Sequence, residues 1–138
     1  MKKSTALITA LFLFCFSAIA QSKQQKLVFD FVKPDTTDFR FMMLQIKNVL
    51  IEAPYTKIEV VCSSKGLNML VNEKTNVKEE IAELQKTFNV SFAACANSMR
   101  RLKVEKDQLV PQANIVPVAL LELASKEQEG WSYIKAGN

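Results

Sequence analysis

The chain has 138 residues, with 18 Lys and Arg against 14 Asp and Glu and no histidine. The missing imidazole excludes Ser-His and Cys-His nucleophile pairs and histidine-ligated metal sites together. Three glycines, none in a Gly-x-Gly arrangement, leave no glycine-rich loop for a nucleotide phosphate.

The N-terminus reads as an export signal. Lys2 and Lys3 form a positive start, an apolar run follows from Ala6 to Phe16, and Ala18 and Ala20 supply the small residues before a cut ahead of Gln21. The run is shorter than the roughly 20 residues a membrane span needs. Phe14 before Cys15 stands where a lipoprotein signal carries a small residue. Residues 1–20 are therefore expected to be a cleaved signal peptide, and the protein to be periplasmic or secreted, with no membrane attachment after cleavage. Residues 21–25 are expected to be a flexible N-terminal segment, and 26–138 to form one domain. Removing Lys2 and Lys3 leaves sixteen basic against fourteen acidic residues, a net charge of +2. The basic residues are dispersed, so no nucleic-acid partner is expected.

Beyond the signal, Leu27–Val32 reads as a short apolar strand, and Pro34-Asp35-Thr36 ends it. Phe39, Met42, Met43, Ile46, Val49 and Leu50 recur at three- and four-residue steps, which predicts a helix over 36–52. Ile58–Cys62 is a second, β-branched strand, Ser63–Gly66 a turn, and Gly66–Leu70 the start of a short helical piece. Asn76-Val77-Lys78-Glu79 has the form of a capping box, with Val77, Ile81, Leu84 and Phe88 behind it at helical spacing. Val90–Ala94 is a third strand, Cys95 to about Lys103 a helix, and Ile115-Val116 a short fourth strand. Pro117 suits the first position of a helix whose buried face is Val118, Leu121 and Ala124, and Gly130 is placed to stop it. Trp131–Ile134 alternates as a last strand. Strands and helices alternating in this way predict an α/β fold, a single-domain three-layer sandwich with a mainly parallel sheet.

Cys62 and Cys95 are the two cysteines beyond the signal, too few for a disulfide framework or a four-thiolate zinc site. Cys95 ends an apolar strand and opens a helix, at the edge where open α/β sheets bind ligands. Backbone N–H groups there favour the thiolate, and Arg100 and Arg101 add positive potential. An inert, buried cysteine fits the same position. Cys62 ends the second strand and has three roles open to it: core packing, disulfide partner to Cys95, or resolving thiol. Asn97 and Met99, two and four residues past Cys95, complete a possible pocket. Trp131 and Tyr133 share a strand face that could wall a pocket or an interface. No cofactor and no metal site are expected.

Lys57–Cys62 followed by Gly66-Leu67, Val90–Met99 with its Cys-x-Asn-x-Met segment, Asn114–Val118 and Gln128–Lys135 together resemble the DsrE/DsrF-like family of sulfur-relay proteins, and Asn48 in the first helix fits as well. The likeness spans about residues 26–135. It implies a compact α/β fold with a mainly parallel sheet and homo-oligomers, often trimers or hexamers. It implies that Cys95 is a persulfide-bearing sulfur carrier working with a sulfur donor or acceptor protein. Many relatives carry a His-Gly pair after the second strand, where this chain has Ser63-Ser64. The alternative reading is a non-enzymatic oligomeric binding module in which Cys95 is structural.

Overall fold

The computed structural model describes residues 24–137. The expected signal peptide, 1–20, lies outside them, and no helix among the described residues is long and apolar enough to cross a membrane.

In chain order the elements are β1 (Lys26–Phe31), α1 (Thr36–Glu52), β2 (Lys57–Cys62), a 3-10 helix (Ser64–Leu70), α2 (Lys78–Thr87), β3 (Val90–Cys95), α3 (Ala96–Leu102), a 3-10 turn (Lys106–Gln108), β4 (Ala113–Val116), α4 (Ala119–Gln128) and β5 (Ser132–Lys135). The five strands form one sheet in the order β4-β3-β2-β1-β5, every pair parallel. The expected α/β fold with helices on both faces is what forms.

Side chains alternate across a strand, so each strand feeds two cores. Phe29 and Phe31 of β1, Ile58, Val60 and Cys62 of β2, and Val90, Phe92 and Ala94 of β3 join one large cluster. Phe39, Met42, Met43, Ile46 and Leu50 of α1 and Ile81 and Leu84 of α2 pack onto it. Their three- and four-residue spacing turns one face of each helix to the sheet. Phe39 meets Phe31 edge-on, with ring centroids 6.0 Å apart. The opposite face is thinner: Val28, Val61, Ala93 and Cys95 lie under Ala119 and Leu123 of α4.

Three local expectations are corrected. The buried face of α4 is Ala119 and Leu123 rather than Val118, Leu121 and Ala124: Leu121 is 67% exposed and Ala124 is exposed as well, because the helix starts at Ala119 and turns that i, i+4 pair to the sheet. The Asn76–Glu79 capping box does not form. Helix α2 starts at Lys78 behind Val77, which has no exposure, and the Thr75 hydroxyl accepts the Val77 N–H at 3.3 Å. Burying Val77 fixes the chain entry one residue later than the cap pattern suggests. A capping box forms instead at Glu105 and Gln108. Pro117 is not the first helical residue either, because α4 begins at Ala119 with Val118 as its N-cap. The helix still stops where Gly130 predicts, at a φ of +83°.

Candidate functional site

Cys95 is the last residue of β3 and the residue from which α3 departs, paired in register with Val116 at the end of β4. Both strands finish at the same sheet edge, so the thiol and the start of α4 meet there. The Ala119 N–H, at the uncapped start of α4, donates to Cys95 Sγ at 3.4 Å. The residue is only 3% exposed, yet it borders a cleft of about 250 Å³ lined also by Ser63, Ser64, Asn97, Ser98, Arg101 and the Val118–Leu120 segment. The cleft is the opening beside which the sulfur lies.

Burial pushes the Cys95 thiol up, but the donors around it outweigh burial. The Ser98 N–H, the Ala119 N–H, the Ser98 hydroxyl and the Asn97 N–H together hold it below the ordinary thiol range. The Ser98 oxygen accepts the Ser64 N–H at 2.8 Å, which leaves its own proton for the sulfur. Removing that hydroxyl in Ser98→Ala is expected to raise the thiol's pKa and slow its alkylation at neutral pH by roughly tenfold, the worth of one hydrogen bond to a charged group. Iodoacetamide kinetics on the folded variant check this.

The Ser63-Ser64 turn carries the cleft's second wall. Ser64 sits at a φ of +49°, in the left-handed region that favours glycine. It is held there from both sides, its N–H by Ser98 and its Oγ by Arg101, which donates at 3.1 Å. Ser64 takes this left-handed backbone conformation without being a glycine. Arg101 thus lines the cleft, whereas Arg100 turns to Asn97 Oδ1 at 2.8 Å. Asn97 reaches the cleft with that oxygen occupied, so its amide nitrogen is what it offers a bound group.

Cys62 and Met99 do not join this cleft. Cys62 pairs in register with Ala94, so its side chain lies on the face of Ala94, and Cys95, one residue on, points through to the other face. The sheet separates the two sulfurs, and both cysteines are free. The expected option of a Cys62–Cys95 disulfide or resolving pair thus has no geometry to support it. Burial, and then the charge of Asp30, push the Cys62 thiol far up. Met99 packs in the large core with Cys62. Trp131 packs beside the smaller cluster and Tyr133 donates to Asp30 at 3.1 Å, both away from the cleft lining. Ser98 and the Ala119 N–H are the parts that sequence reasoning missed. Ser98 lay within the quoted motif, but a backbone donor from 24 residues further on leaves no side-chain signal.

The sequence profile of the DsrE/DsrF-like family matches residues 24–136. The chain belongs to the DsrE/DsrF-like family. Among solved structures, it is similar to MTH1491, a protein of unknown function from Methanobacterium thermoautotrophicum. That match has 25% identity and a TM-score of 0.75, over 81% of this chain and 99% of the other. BT1422, a conserved protein of unknown function from Bacteroides thetaiotaomicron, shares the fold at 16% identity and a TM-score of 0.60, over 80% of this chain and 94% of the other. No functionally curated protein matches the chain. Membership in the DsrE/DsrF-like family accords with the five-stranded parallel sheet flanked by helices.

Proposed function

We propose that this protein is an exported sulfur carrier in which Cys95 takes up a sulfur atom and holds it as a persulfide. The observation that carries the reading is a thiol lowered in pKa by surrounding donors at the floor of a small polar cleft. In the loading step the Cys95 thiolate attacks the outer sulfur of a donor R–S–S⁻. The donor's S–S bond breaks, R–S⁻ leaves with its electron pair, and Cys95–S–S⁻ remains, with no outside oxidant needed. The product is again an anion, now on the outer sulfur about 2 Å beyond Sγ in the cleft that Arg101 and Asn97 line. Donors that lower the thiol's pKa enlarge the thiolate fraction without a general base, which suits a chain without histidine.

The same reading takes residues 1–20 as a cleaved signal and the mature protein as a homo-oligomer. Phe41 and Leu44, each about half exposed, and Ile51, 74% exposed, line one outward stripe of α1 with Asn48. A second copy covering that stripe would remove apolar surface from water.

The deep burial of Cys95 favours a second reading, a binding module in which the cysteine is structural. Incubation with a small organic persulfide separates the two. The wild type is expected to gain the mass of one sulfur atom, removable by reductant, and Cys95→Ser to gain none. An adduct retained in Cys95→Ser, or none on the wild type, assigns the cysteine to the structural role.

A further inference from the structure

Helix α4 supplies the Ala119 N–H to the sulfur, yet little apolar surface holds that helix in place. Ala119 and Leu123 are its buried residues, whereas Leu120 and Leu121 are 75% and 67% exposed. The third residue on the inward face, at the i, i+4, i+7 spacing that starts from Ala119, is Lys126. Its ammonium meets Glu59 Oε2 at 2.9 Å, and both side chains are largely withdrawn from water. Glu59 stands in the middle of β2, on the sheet face beneath α4, and Ser91 Oγ from β3 donates to it at 3.4 Å. Lys126 also lies 3.5 Å from Glu122 Oε1 on its own helix and 4.8 Å from the centre of the Trp131 ring. A charge inside an apolar strand has no packing reason to be there.

We infer that the Glu59–Lys126 ion pair is a positioning pair for Cys95, clamping α4 to the sheet so that the Ala119 N–H reaches the sulfur. The inference rests on Cys95 being the reacting thiol. The pair and the thiol sit at opposite ends of the helix. Ala119 and Lys126 are about 10 Å apart along α4, and Glu59 pairs with Ser91, about 13 Å down β3 from Cys95. Two attachments, one at each end, set both the height and the direction of α4 over the sheet. The 3.4 Å contact to sulfur is the one a small shift of the helix would loosen.

The sign of the effect separates positioning from simple charge. Removing the negative charge of Glu59 would, acting through space alone, favour the thiolate and lower the alkylation midpoint. Loss of the clamp withdraws a donor and raises it. Glu59→Gln is therefore the informative variant, read at the Cys95 peptide as the pH dependence of its alkylation by iodoacetamide in the full chain, where Cys15 is mapped separately. Thermal melting is followed alongside. The midpoint is expected to move up and the rate at pH 7 to fall about fivefold. The double exchange Glu59→Lys with Lys126→Glu should return both toward wild type. Should Glu59→Gln fold poorly, Glu59→Asp, which keeps the charge and shortens the reach, is read instead and should move the midpoint the same way. A midpoint that stays or falls in the single variant, or one that the exchange does not restore, overturns the inference even if the melting temperature drops. This readout is independent of sulfur loading, so a protein that takes up no persulfide sulfur still decides whether the pair positions α4.

Discussion

Gly66→Ala is expected to lower the melting temperature by roughly 10 °C or more and to leave much of the protein insoluble on expression. Gly66 lies in the 3-10 helix that follows β2, packed against the end of β1. A β-carbon there would collide with the Phe31 carbonyl oxygen and stand 2.8 Å from Val32 Cα. Both are backbone atoms, and the Phe31 oxygen is already fixed by the Ser63 N–H at 3.0 Å. Neither can rotate away as a side chain would, so relief requires β1 or the turn to move. Overpacking of that kind costs about 3 kcal/mol, a large share of the 5–15 kcal/mol that holds a domain together. The turn in question carries Ser63 and Ser64, so a partly folded variant should also lose the cleft wall beside Cys95. Gly130→Ala is the control. Nothing lies within 4 Å of its β-carbon, and its φ of +83° leaves only a backbone penalty of about 1 kcal/mol. Melting curves of the two variants check the contrast.

Much of this architecture is legible in the chain because its signals are local. The β-branched run at 58–62, the short apolar run at 90–94 and the three- and four-residue spacing in 36–52 each specify their own element. The alternation of strands and helices then leaves few topologies. What escaped was decided by contacts between distant segments. Cys62 and Cys95 both stand at strand ends, and only the register, Cys62 against Ala94, puts them on opposite faces. Met99 follows Cys95 by four residues but belongs to the larger core, since α3 packs Met99 and Leu102 onto that side of the sheet while Cys95, the last strand residue, faces the smaller cluster. Asn76 has the side chain of a cap, but burial of Val77 was worth more than the bond it would have made. Glu59 was the legible signal that went unread: one acid inside Ile-Glu-Val-Val-Cys requires a partner, and the partner is Lys126.

The second large effect is the separation of the two thiols. Under native conditions one equivalent of iodoacetamide label is expected on Cys95 and none on Cys62 over the same time. Cys62 has no exposure, packs inside the larger core and has its thiol driven up by burial. It reacts only through opening of the core, a state populated at about one part in a thousand or less for a domain of ordinary stability. Cys95 borders an open cleft, so its labelling is expected to need no such opening. The two rates should therefore differ by about a thousandfold or more, and the difference should vanish in denaturant. Peptide mapping after timed labelling reads both rates in one experiment. In Cys95→Ser the cleaved protein, which lacks Cys15, should carry no label at all under native conditions.

A cysteine that carries sulfur must be a thiolate at working pH, and the donors around Cys95 are the reason it would be one. The rate of Cys95 alkylation against pH measures this directly. The rate follows the thiolate fraction, so it climbs with pH through the thiol's own pKa and then levels. Since Ser98, Ala119 and Asn97 hold that pKa below the ordinary range, the climb is expected to be centred below the unperturbed value of 9.0 and to move upward in Ser98→Ala. A midpoint at or above 9.0 in the wild type, unchanged by Ser98→Ala, would contradict the account and leave Cys95 as a packed core residue.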